Sequence, residues 1–148
     1  MSLPNEIDFA LVKIGDGATP EVFTLICGLT DVTHNEAAAH TDRHVRDCTK
    51  PGETPFRRTK VTGKSLDITG SGMSNADMIP TLEAALGKVG NYLIEFYKDD
   101  GTDGGDIMGT TAGAFRLAAN NLNIPRDNPA TAQITLASDG PWTYTIAA

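Results

Sequence analysis

Cysteine, aromatic side chains, cations and long apolar runs are all scarce in this chain of 148 residues. Two cysteines, Cys27 and Cys48, are too few for a disulfide framework. No apolar run approaches the roughly 18 residues of a membrane-crossing helix. No Lys- or Arg-led apolar stretch opens the chain, so no signal peptide is expected, and a reducing cytoplasm is the expected folding compartment. Twelve Lys and Arg stand against nineteen Asp and Glu, a net charge of −7. That balance disfavours nucleic-acid binding, whose affinity comes from clustered cations that release counterions. An acidic protein can still stand beside DNA as a wall that does not hold it. Nine aromatic residues, with Trp142 the lone tryptophan, offer little for a carbohydrate-stacking platform.

What is present suffices for a folded domain. Forty per cent of the residues are apolar, and a chain of this length buries about 70% of its unfolded surface on folding. One domain spanning residues 1–148 is expected. Charge is unevenly spread along it. Residues 1–56 carry nine acids and four bases, a net −5; residues 57–98 carry four acids and six bases, a net +2; residues 99–148 carry six acids and two bases, a net −4. Arg57, Arg58, Lys60 and Lys64 form the basic centre. Its bland reading is a solvated face neutralised within the molecule. Its sharper reading is a patch that meets an acidic surface of a neighbouring copy, where complementary charge selects register and partner.

Period-two alternation dominates, predicting strands over residues 7–14, 21–30, 59–70, 91–98 and 113–119. The first ends in the turn Gly15-Asp16-Gly17. In the fourth, Tyr92, Ile94 and Phe96 share one face, with Leu93 and Tyr97 on the other. A C-terminal hairpin is predicted from Ala132, Ile134 and Leu136 before Ser138-Asp139-Gly140-Pro141, and Trp142, Tyr144 and Ile146 after it. One segment departs from this pattern. Residues 75–88 carry Met78, Ile79, Leu82, Ala85 and Leu86 at helical spacing; Ser74 or Asn75 can cap the start, and Gly87 or Gly90 can end it. The expected fold is mainly β: an antiparallel sandwich or barrel with one flanking helix at about 75–88.

Residues 31–56 stand apart. Across this polar stretch the only sizeable apolar side chains are Val32, Val45 and Phe56. Such a segment buries too little to offset roughly 1–2 kcal/mol of backbone ordering per residue, and long irregular loops in compact domains are usually functional or disordered. It is expected to be a mobile extended loop that a second copy of the protein orders. The residues expected to carry self-association are His34, Arg43, His44, Arg46, Phe56, Arg57, Arg58 and Lys60. The N-terminal arm (residues 1–6) and the Gly/Asp-rich stretch 99–106 share its character more weakly.

Chemistry is sparse. Gly63-Lys64-Ser65 lacks the upstream glycine of a phosphate-binding loop, since Arg58 stands there. Gly70-Ser71-Gly72 lacks the spacing of a nucleophile elbow. Asp99, Asp100, Asp103 and Asp106 offer oxygen ligands, but no Glu closes a calcium loop, and a solvated turn is the expectation. The best metal candidate is His40, His44 and Cys48, with His34 upstream. On a helix their four-residue spacing would converge on zinc, but the segment has weak helical credentials. No acid–base pair or nucleophile–base constellation supports an enzyme.

Taken in order, these features resemble the tail tube (major tail) protein family of long-tailed bacteriophages and related tail-like particles. The likeness covers nearly the whole chain. It runs from an N-terminal strand and a second strand entering a long polar loop, through Thr62-Gly63-Lys64-Ser65-Leu66-Asp67-Ile68-Thr69-Gly70-Ser71-Gly72, then one helix and the strand over residues 92–97, to Leu136-Ala137-Ser138-Asp139-Gly140-Pro141-Trp142. The His-rich 34–48 segment is a departure. The resemblance implies a structural protein without catalytic residues, metal or cofactor. Its copies would form hexameric rings that stack into a tube, assembled in a bacterial host and residing in the virion tail. Implied partners are other copies, a tape-measure protein, tail terminator and distal tail proteins, and DNA that passes through the lumen without specific binding; no membrane is implied. Two alternatives stay open: a β-sandwich binding module for carbohydrate or adhesion, and a ring protein of a tail-related secretion system.

Overall fold

The computed structural model describes residues 2–147. Seven strands form one antiparallel sheet: β1 (Phe9–Gly15), β2 (Phe23–Leu25), β3 (Leu29–Val45), β4 (Phe56–Met73), β5 (Val89–Lys98), β6 (Asp106–Asn123) and β7 (Thr131–Ile146), in the order β2-β1-β5-β6-β7-β4-β3. A short helix, α1 (Ile79–Ala85), lies between β4 and β5. The expectation of a mainly β, antiparallel fold with one flanking helix holds. The sandwich or barrel resolves into a single open sheet, because its end strands β2 and β3 form no ladder with each other.

The sheet nevertheless wraps one core. Alternate residues of five strands meet there: Val12 and Ile14, Leu66 and Ile68, Tyr92 and Ile94, Phe115 and Leu117, Ile134 and Leu136, with Leu82 of α1 and Ile26 completing the cluster. Tyr92 and Phe115 meet edge to face, with ring centroids 6.2 Å apart, a favoured aromatic geometry. The link between β2 and β3 is held from both sides: the Ile26 amide donates to the Val12 carbonyl and the Met73 amide to the Gly28 carbonyl, each at 2.9 Å. Gly28 turns there with φ +107°, and a Cβ on Gly72 would strike the Gly28 carbonyl oxygen. This tight passage splits the predicted strand 21–30 in two.

Three expectations need correction. The helix is shorter than predicted. A single 3₁₀ turn (Ala76–Met78) precedes it, capped by the Asn75 side chain accepting from the Asp77 amide, and Gly87 (φ +78°) follows its end. Pro80 is accommodated because it lies in the first turn, where its missing N–H costs nothing.

The C-terminal run is not a hairpin. β7 is one strand paired throughout with β6: Leu136 lies opposite Leu117, Ser138 opposite Phe115, and Trp142 opposite Gly113. Residues 139–141 bulge out against a single residue of β6, with Gly140 at φ +111°. The Asp-Gly signal marks a bulge here, because β6 is long enough to partner both halves.

The third correction concerns residues 31–56. They are not an irregular loop. Residues 29–45 pair with 56–73 through sixteen cross-strand partners, leaving only residues 46–55 as the turn. Cross-strand pairing satisfies the inward-pointing backbone groups and leaves the outer edges to water, so the segment takes up strand geometry without an apolar face.

Candidate assembly surface

β4 pairs with β7 only from Asp67 to Met73. Beyond Asp67 the β3–β4 ribbon leaves the body, and residues 37–45 and 56–65 are exposed at every position. The result is a two-stranded arm with solvent on both faces. Such a ribbon is marginal in water on its own.

Register places its side chains. Gly63 lies opposite Ala39 and Val61 opposite His40, so Thr62 is an extra residue that reverses the alternation of β4 from that point outward. One face of the outer arm therefore carries His40, Asp42 and His44 with Arg57. The His40 Nε2–Asp42 Oδ1 distance is 3.4 Å, and Arg57 lies 4.0 Å from the other carboxylate oxygen. The opposite face carries Arg43 directly across from Arg58, Lys60 across from Thr41, and Val45 across from Phe56. Among the described residues these three cations make no ion pair, and Phe56 is 67% exposed. Like charges directly opposite on a ribbon repel. The outer face thus combines unneutralised positive charge with open apolar surface.

The predicted association residues consequently separate. Arg43, Arg58, Lys60 and Phe56 share one face; His44 and Arg57 share the other. Arg46 sits in the turn, where its guanidinium donates to the carbonyls of Pro51 and Glu53 and ties the arm tip together. Asp47 caps the same turn; hydrogen bonds from the Thr49 hydroxyl and amide hold its carboxyl below the ordinary value. His34 stands at the base of the arm, edge-on to Phe96 at 5.9 Å and half-buried.

The zinc arrangement fails on geometry. His40 and His44 lie on a strand, where four residues span roughly 13 Å, and Cys48 lies beyond them in the turn. Among the described residues no three His, Cys, Asp or Glu side chains converge as a metal site. The acidic stretch is the β5–β6 turn, in which Asp99 and Asp100 accept from the amides of Gly101 and Thr102.

Two features escaped the sequence reading. On the sheet face opposite the core, Lys13 Nζ lies 2.6 Å from Glu95 Oε1, while the Tyr97 hydroxyl donates to Glu95 Oε2 at 2.5 Å. Burial pushes the Glu95 carboxyl up, but the Lys13 and Tyr97 hydrogen bonds outweigh it and hold the group below its ordinary value. The same bond raises the Tyr97 hydroxyl to about 12. A lysine and a glutamate inside otherwise apolar strands were the available signal. The second feature is the groove where arm and body part, of about 830 Å³, lined by Glu36, Ala38, Lys64, Ser138, Pro141 and Trp142. Trp142 Nε1 donates to Glu36 Oε1 at 3.3 Å.

No protein-family model and no curated protein matches the chain. Solved structures do. A chain from the virion of a native gene transfer agent particle superposes with a TM-score of 0.66 at 18% identity, covering 96% of this chain and 99% of that one. A chain from the anti-feeding prophage cap, which terminates a tube, gives 0.62 at 16% identity over 99% and 95%. A chain from the SPP1 tail tube gives 0.55 at 11% identity over 94% and 76%. At such identities the likeness is one of fold, shared along nearly the entire chain.

Proposed function

We propose that this protein is a structural subunit that self-assembles into rings, which stack into a tube of a phage tail or tail-like particle. The observation that carries the reading is the arm. An exposed ribbon with Arg43 facing Arg58, no carboxylate paired with either among the described residues, and Phe56 open beside them is poorly satisfied in a lone subunit. A neighbouring copy supplies what is missing. The chain is acidic, at −7, so its other surfaces suit a basic face, and burying Phe56 adds roughly 1.5–3 kcal/mol per contact. Head-to-tail contacts of unlike surfaces close within a ring and remain open along an axis, which is how one chain builds a tube.

The fold shared with tail, tube and cap proteins supports the same reading. On it, the copies form hexamers in a virion tail, meet tape-measure, terminator and distal tail proteins, and leave a channel through which DNA passes without being held. An acidic subunit suits that channel, since phosphate contacts would act as brakes. The carbohydrate-module alternative loses its one tryptophan: Trp142 packs against the core and is bonded to Glu36.

Electron microscopy of the purified protein over a range of concentrations tests the reading. Rings or tubes are expected. Particles no larger than a monomer at every concentration would overturn it.

A further inference from the structure

The groove between arm and body is a split in the sheet. β4 and β7 are hydrogen-bonded up to Asp67 and Ala137, and then the residue 139–141 bulge carries β7 away. At the parting point the Leu66 amide, which would have bonded to β7, is taken by the Ser138 hydroxyl at 3.0 Å. Outward of it, each of the two strands has one edge without a partner of its own chain: β4 from Lys64 toward Phe56, and β7 from Trp142 to Ile146. Unpaired edges are templates for a further strand.

We infer that the fork receives the N-terminal segment of a second copy, residues 4–7, as a strand added along the free β7 edge beside the arm; this rests on the assembly reading above. The segment is free to serve. Residues 2–7 are exposed and form no strand with their own body, and Leu3 and Ile7 are 75% and 54% exposed. Among the described residues, the hydrogen bond that ties this segment to the body is the one Asn5 accepts from Lys98 Nζ, at 3.5 Å. Length agrees: four extended residues span roughly 13 Å, the reach of four residues of the β7 edge. Pro4 lacks an N–H and sits where proline is tolerated, at the first position of a strand. Charge agrees as well. Glu6 brings a carboxylate to a groove whose Lys64 has no ion pair among the described residues.

A photoreactive benzoyl-phenylalanine placed at Asn5, in a mixture of ¹⁵N-labelled and unlabelled chains assembled into particles, tests this by mass spectrometry. Mixed-label adducts to residues 142–146 or 57–64 are expected. Adducts confined to the same chain, adducts elsewhere on the neighbour, or particles without adducts would each overturn the insertion while leaving the tube reading intact. Absence of particles from the unmodified chain would instead sink that reading. Independently, amides of residues 142–146 in the unmodified particle should exchange at least tenfold more slowly than in the monomer. Particles of a chain lacking residues 2–7 that keep this protection would also overturn the insertion.

Discussion

Replacing Arg58 with glutamate should leave the folded subunit as stable as before, or slightly more so, while weakening assembly. Arg58 lies directly opposite Arg43 on the outer arm, and neither has a carboxylate partner among the described residues. The reversal turns a repelling cross-strand pair into an attracting one, worth roughly 0.2–1 kcal/mol to the lone subunit. In an assembly that uses this face against an acidic neighbour, the same change removes one attraction and adds one repulsion. Exposed pairs contribute roughly 0.2–1 kcal/mol each, so about 0.4–2 kcal/mol is lost per interface. Since 1.4 kcal/mol is about tenfold in affinity, the concentration at which particles form should rise roughly two- to thirtyfold, and less at high salt as screening removes both terms. Thermal melting of the dilute subunit and light scattering against concentration measure the two quantities. Arg57→Glu is the internal contrast: it sets a carboxylate beside Asp42 on the other face and should cost the subunit a few tenths of a kcal/mol. An Arg58→Glu chain that assembles at the wild-type concentration, or melts well below it, would refute the assignment of this face.

Other outcomes follow from the same geometry. Backbone amides of residues 37–45 and 56–65 should gain protection from hydrogen exchange on assembly, and equal exchange in both states would remove the arm from the interface. Glu95→Gln should destabilise the subunit by about 1–3 kcal/mol, because the half-buried Lys13 loses its charged acceptor. Because the folded Glu95 carboxyl titrates below its ordinary value, its stabilisation is present above the unfolded pKa and is lost as pH falls through the folded one. Wild type and variant should therefore converge in denaturant melts as the pH is taken down through the folded carboxyl's range, below that of an ordinary glutamate. Gly72→Ala should lower the melting temperature by several degrees, since the added methyl strikes the Gly28 carbonyl; an unchanged melt would show that the β2–β3 link yields.

The core was legible because alternation reports burial directly: Tyr92, Ile94, Ile134 and Leu136 fell on the predicted faces. The arm was hidden by the same logic. Its strands bury neither face, so they carry no alternation, and polar residues such as His40, Thr41, Asp42 and Arg43 resemble a loop although each has a partner across the ribbon. The C-terminal bulge was misread because Asp139 and Gly140 carry a turn signal that specifies a backbone conformation, not the strand that will partner it. Among the association residues, the sequence grouped Arg57 with Arg58, although strand alternation sends adjacent residues to opposite faces once the segment is known to be a strand. Which β3 side chain each one meets depends on where Thr62 falls.

That one surplus residue also sets how the arm can change over time. Loss of Thr62 would leave the body, anchored below Leu66, untouched and would keep every cross-strand pair of the arm, since Thr62 has no partner of its own, yet it would remove the bend and extra twist that the bulge gives the ribbon. Arg58 and Lys60 would keep their face while the whole outer arm pointed in a new direction. A lineage could thereby rewrite which neighbour its subunits accept without disturbing a single buried contact.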